Sequence, residues 1–162
     1  MLRKLFDTIA RRNLSLGGVA ALLLAACGTP QNHQTEEANG GITITQMWGT
    51  PGLAGRVSAA YGTIANHGTE PDSLITITST AAPSIEVHQM VEQEGMMRMR
   101  GMKWPVVIAP GDSLALAPGG THLMLMDLPQ SLKVGDSITL RLRFARAGER
   151  GVRLAIGDRY LH

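Results

Sequence analysis

Features typical of several protein classes are missing from this 162-residue chain. It contains one cysteine, Cys27, so no disulfide can form within the chain and the fold must be held by its hydrophobic core. After residue 26 no apolar stretch approaches the length of a transmembrane helix. A P-loop, a His-Glu-x-x-His motif and a paired carboxylate site are also missing, so the sequence does not predict an enzyme.

The first 26 residues have the pattern of an export signal. Basic residues among the first twelve positions precede an apolar stretch at 16–26 that is too short to span a membrane. The stretch ends in Leu24-Ala25-Ala26-Cys27, which resembles the bacterial lipobox, whose cysteine is lipidated after cleavage. We therefore expect a lipoprotein signal peptide at 1–26, a lipid on Cys27, and a flexible polar tether over 27–40.

The signal segment also carries much of the basic charge. Of fifteen basic and thirteen acidic residues, four basic and one acidic lie within residues 1–26. The remaining 136 residues therefore contain eleven basic and twelve acidic residues. Their formal charge of −1 gives no support for nucleic-acid binding. This length suits one domain with a real core, expected over 41–162. The pair Arg11-Arg12 leaves twin-arginine and ordinary Sec export both open.

After the tether, the sequence predicts an all-β domain. Short segments of alternating apolar and polar residues are separated by Gly, Pro, Asn and Asp, and none has a convincing helical period. Strands are predicted at 42–48, 57–66, 74–78, 84–90, 96–102, 106–108, 114–116, 122–128, 138–144 and 152–156. Short strands at this spacing favour an antiparallel sandwich or barrel.

Histidine and methionine are concentrated in two stretches of the sequence, 88–99 and 119–126. Seven of the nine methionines lie between positions 90 and 126. Because strand side chains alternate between faces, His122 and Met124 share one face of their strand. Imidazole nitrogen and thioether sulfur are ligands that soft Cu(I) prefers, whereas hard cations avoid thioethers. We therefore predict a Cu(I) site with two imidazoles and two thioethers, from His88, Met99, His122 and Met124.

Methionine is also an ordinary core filler, and a lone histidine is more often hydrogen-bonded than bound to a metal. Met96, Met102 and Met126 are expected to pack in the protein. For Met90 and Met97 two interpretations stay open, spare ligands near the site or its apolar rim. Two clusters that each combine histidine with methionine in a regular β pattern are nevertheless better explained by metal binding than by packing alone.

The spacing of the four candidates resembles that of the periplasmic copper chaperones of the PCuAC type. In that family ten residues separate a His from a Met, and about twenty-one residues separate this Met from a His-x-Met. In this chain ten residues separate His88 from Met99, and twenty-two separate Met99 from His122. The family often has Met directly after its first His, where this chain has Gln89. Trp48 and the segment 118–126 also look like family landmarks.

The resemblance implies a fold and a role. The fold would be a cupredoxin-like antiparallel β-sandwich of Greek-key topology that binds one Cu(I). The protein would lie in the periplasm, anchored by the lipid on Cys27 to the cell membrane or the outer membrane. It would deliver copper toward cytochrome c oxidase or to another copper-assembly protein. The chain ends at His162 without a His- and Met-rich tail, so we expect no second copper site.

Two other classes of protein offer alternatives. A blue-copper electron carrier shares the sandwich but needs a thiolate ligand, and Cys27 lies in the lipobox-like segment. A metal-free adhesion or assembly module would use the same His and Met side chains for packing. A Cu(I) titration against a competing chelator separates that module from a chaperone.

Overall fold

Ten β-strands make up the part of the chain that the computed structural model describes, residues 41–157. They are β1 (Ile42–Gly49), β2 (Ser58–Asn66), β3 (Asp72–Thr78), β4 (Ser84–Gln93), β5 (Met96–Gly101), β6 (Val106–Ile108), β7 (Ser113–Leu116), β8 (Thr121–Met126), β9 (Ser137–Phe144) and β10 (Gly148–Ile156). The signal peptide, the lipidation of Cys27 and the tether are predicted for residues outside the described range. Within that range, no helix has the length and apolarity needed to cross a bilayer.

All ten predicted segments form strands, and the differences lie at their ends. β4 continues to Gln93, and β10 begins at Gly148 because the turn before it occupies residues 145–147. The strands are hydrogen-bonded in the order β5-β4-β8-β2-β1-β10-β9-β3-β6, with β7 also paired to β2. Neighbours distant in sequence, such as β8 beside β2, are typical of Greek-key connections. All pairs are antiparallel except the short parallel pair β1–β10, so the predicted all-β sandwich is confirmed.

A β-bulge interrupts the pairing of β1 with β2, near the point where β2 changes its partner from β8 to β7. The register shifts between Thr45 and Trp48, which is the mark of a β-bulge. Opposite the bulge, Gly62 has φ 148°, and a Cβ there would lie 2.3 Å from the Met47 sulfur, so only glycine fits without movement. Before this glycine β2 pairs with β8, and from it onward β2 pairs with β7.

The core holds β8 firmly, whereas β5 lies in solvent. Leu123 and Leu125 of β8 are almost fully buried, whereas every residue of β5 is exposed. A two-residue turn of Glu94 and Gly95, both with positive φ, closes the hairpin, as in a type I′ turn. The prediction that Met96 packs is wrong, because the hairpin runs past the core and leaves this side chain 52% exposed. Met102, after β5, does pack against the core.

A buried carboxylate fixes the opposite end of the sheet. Asp72, at the start of β3, is 2% exposed. Its Oδ1 accepts hydrogen bonds from the backbone N–H groups of Ser73 and Arg146, and its Oδ2 accepts one from Ala147. These bonds tie β3 to the turn between β9 and β10.

Candidate functional site

Three neighbouring strands bring the four predicted ligands to one face of the sheet. β4 lies between β5 and β8, and His88 is paired directly with His122 on one side and with Gly101 on the other. Met99 precedes Gly101 by two residues, and Met124 follows His122 by two residues. Because directly paired residues and residues two apart point the same way, all four side chains project from the same side of the sheet.

Met99 and Met124 lie on opposite sides of the His88–His122 pair along the strand direction. Met99 is paired with Met90, toward the tip of the hairpin, and Met124 is paired with Glu86, toward the body of the sandwich. Each methionine is thus a diagonal neighbour of His88, at a separation that long side chains can bridge. Met90 shares this face and lies one strand closer to His122 than Met99 does.

An open cleft of about 420 Å³ lies beside His122. It is lined by Thr50, Val57, Ser58, Ala59, Tyr61, Met90, Met99, Gly119, His122 and Met124. Three of the four predicted ligands therefore share one cavity, together with a third thioether. His88 is not part of this lining, but its ring centre lies 6.2 Å from that of His122.

The hydrogen bond of His122 determines which of its nitrogens is available. Its Nδ1 lies 3.1 Å from the carbonyl oxygen of Gly120, and the residue is 7% exposed. A carbonyl oxygen only accepts, so Nδ1 carries the hydrogen and donates it. In the neutral ring, Nε2 then holds the lone pair, which is the form of imidazole that binds metals.

His88 makes a different contact. Its Nε2 lies 2.7 Å from Oε2 of Glu86, the residue two positions earlier on β4. Its Nδ1 is buried and has no hydrogen-bond partner among the described residues. Buried polar atoms in folded proteins usually have partners, so this nitrogen is available for a ligand.

A row of rings continues from the histidines across the sheet. The ring centres of His122 and Tyr61 are 6.3 Å apart, and those of Tyr61 and Trp48 are 4.7 Å apart. Trp48 is 9% exposed, so this side of the site is closed by buried aromatic surface. On the other side, Met97 and Met99 are 58% and 49% exposed, so the site is open toward the hairpin.

The four predicted ligands on this face are neutral donors. The described residues contain no group of three or more His, Cys, Asp or Glu side chains placed to hold a metal, and the two histidines are accompanied by thioethers instead. Sequence reasoning missed Glu86 and gave Tyr61 no role in the site. Strand alternation places Glu86, His88 and Met90 on one side of β4, so a signal for Glu86 is present in the sequence.

Solved structures similar to this chain include PCuAC domains. The "Copper-bound PCuAC domain from PmoF2" is 26% identical, with a TM-score of 0.62, over 75% of this chain and 97% of that chain. CuI-DR1885 from Deinococcus radiodurans, a solution structure, is 27% identical, with a TM-score of 0.56, over 72% of this chain and 80% of that chain. The fold and site thus define a PCuAC-like β-sandwich, and the resemblance inferred from the residue spacing is confirmed.

A family model described as "Putative lipoprotein LpqE-like" matches residues 33–156. Over 151 residues the chain is also 32% identical to "Putative lipoprotein Lxx21020" of Leifsonia xyli subsp. xyli, covering 93% of this chain and 87% of that protein. The chain belongs to the LpqE-like lipoprotein family.

Proposed function

We propose that this protein is a Cu(I) chaperone that binds one copper ion through His88, Met99, His122 and Met124. The observation that carries the proposal is the cleft in which the sulfur-bearing side chains of Met99 and Met124 meet His122, with its Nε2 available. Two structures similar to this chain, the PmoF2 domain and CuI-DR1885, are described as copper-bound or Cu(I)-loaded, which supports copper as the cargo.

The donor set suits Cu(I) and its transfer. Two imidazoles and two thioethers add no charge, and thioethers are soft donors that need no deprotonation. None of these donors is a thiolate, which an oxidising compartment would tend to convert to a disulfide. Met99 is 49% exposed at the open side of the cleft, where an acceptor protein can replace one ligand at a time.

The proposed location is the periplasmic side of the cell envelope. The lipoprotein family and the lipobox-like segment ending in Cys27 support cleavage after residue 26 and a lipid anchor on this cysteine. The anchor would hold the copper domain near the cell membrane or the outer membrane. From there it would deliver copper toward cytochrome c oxidase or to another copper-assembly protein, and it would not act as an enzyme.

The test is a Cu(I) competition titration on the protein starting at residue 27, with Cys27→Ser so that no thiol competes. We expect one Cu(I) per chain, with sulfur and nitrogen neighbours in copper K-edge absorption. Met102→Leu is the matched control, because Met102 packs against the core and alternates away from the face of Met99. If the protein took no Cu(I) from a weak chelator, the metal-free adhesion or assembly module would replace the chaperone.

A further inference from the structure

Glu86 lies among the proposed copper ligands but is not one of them. It is paired with Met124 across the β4–β8 ladder, next to the pair formed by His88 and His122. Its Oε2 lies 2.7 Å from Nε2 of His88, and the two side chains are 47% and 15% exposed, respectively. A carboxylate oxygen is a hard donor that Cu(I) does not prefer, so the contact with His88 needs another explanation.

The contact determines the tautomer of His88. A carboxylate oxygen accepts hydrogen bonds, so Nε2 carries the hydrogen and donates it to Glu86. The lone pair of the neutral ring is then on Nδ1, the atom that is buried without a hydrogen-bond partner among the described residues. The other neutral tautomer would bury an unpaired N–H at Nδ1 and turn the lone pair of Nε2 toward the carboxylate, which is unfavourable on both counts.

We propose that Glu86 is a positioning residue, which holds Nε2–H of His88 so that Nδ1 binds Cu(I). This inference rests on the proposed function. The two histidines then bind copper through different nitrogens, because Gly120 holds Nδ1–H of His122 and leaves Nε2 to the metal. A carboxylate behind a ligating histidine fixes the tautomer and the orientation of the ring, so Glu86 raises copper affinity without touching the ion.

The role in copper binding can be separated from a role in folding. The contact between Glu86 and His88 is partly exposed, and such contacts contribute little to stability, so loss of Glu86 should hardly change the melting temperature. Glu86→Leu removes the acceptor, whereas the side-chain carbonyl of Glu86→Gln can still accept from Nε2–H. The matched control is Glu92→Leu, since Glu92 lies on the same face of β4 but is paired with Met97.

The experiment combines Cu(I) competition with nitrogen-15 NMR of the histidine rings, on the protein starting at residue 27 with Cys27→Ser. We expect Glu86→Leu to weaken Cu(I) binding about 10- to 100-fold, Glu86→Gln to weaken it less, and Glu92→Leu to leave it unchanged. In the copper-free protein, the proton of His88 should be on Nε2. Addition of Cu(I) should shift the Nδ1 resonance of His88 and the Nε2 resonance of His122.

The outcomes distinguish this inference from the proposed function. If the unmodified site bound no Cu(I), the proposed function would fail, and this inference with it. If it bound Cu(I) but Glu86→Leu bound as tightly as Glu92→Leu, or if copper shifted Nε2 of His88 instead of Nδ1, only the role of Glu86 would be refuted.

Discussion

We expect the loss of Met99 and the loss of Met124 to weaken the proposed copper site by different amounts. Met90 is paired with Met99, and both line the cleft. Met124 has no such reserve, because its direct partners on β4 and β2 are Glu86 and Ala59. We predict that Met99→Leu weakens Cu(I) binding much less than Met124→Leu, because Met90 can supply the missing sulfur.

The expected losses of Cu(I) affinity follow from the pairing of Met90 with Met99. Adjacent strands are about 4.8 Å apart, so Met90 begins about one such spacing nearer to β8 than Met99 does. For Met99→Leu we expect less than about a tenfold loss of affinity, equivalent to about 1.4 kcal/mol, and for Met124→Leu a larger loss. The double variant Met90→Leu/Met99→Leu should lose at least about 1 kcal/mol more than the two single losses added together.

Competition with a chromophoric Cu(I) chelator gives the affinities of the unmodified protein and of the four variants, and urea unfolding checks that stability is retained. Replacing methionine with leucine nearly conserves volume and should cost less than about 1.5 kcal/mol of stability. Additive losses for Met90 and Met99, or an equal loss for Met99→Leu and Met124→Leu, would show that Met90 does not act as a substitute ligand.

Three further predictions concern the scaffold. Asp72→Ala should lower the free energy of unfolding in urea by about 3 kcal/mol, since it leaves three backbone N–H groups without their acceptor; an unchanged midpoint would contradict this. Leu123→Ala, behind the copper face, should cost about 2–5 kcal/mol in the same assay, and a loss below 1 kcal/mol would argue against its burial. Gly62→Ala should lower the melting temperature through its clash with the Met47 sulfur, and the same substitution should cost less in a Met47→Ala background; an equal loss in both backgrounds would exclude the clash as the cause.

The strands could be predicted because their signal is local. In β8, apolar Leu123 and Leu125 alternate with His122 and Met124, and the period of two assigns each residue to a face. The same rule does not reveal that β4 lies between β5 and β8, since strand pairing depends on contacts between residues distant in sequence. The direct pairing of His88 with His122 therefore required the structure.

Other features depend on where the core ends. The alternation in 96–102 does not indicate that β5 is exposed throughout, so the sequence alone cannot show that Met96 lies in solvent. The bulge near Gln46 has no clear local signal, because it depends on Gly62 lying opposite on β2. The tautomer of His88 depends on a side-chain hydrogen bond with Glu86, and spacing along the chain shows only that the two residues share a face.

The proposed copper ligands lie on strands that differ in how firmly they are held. β8, which carries His122 and Met124, is backed by buried leucines and paired on both sides, whereas β5, which carries Met99, ends the strand order and is exposed throughout. Backbone amides of β5 should accordingly exchange with deuterium sooner than those of β8. The bonds to copper would then break in a fixed order. The sulfur of Met99 on β5 would dissociate first, and the imidazole of His122 on β8 would stay bound until an acceptor has begun to bind the ion.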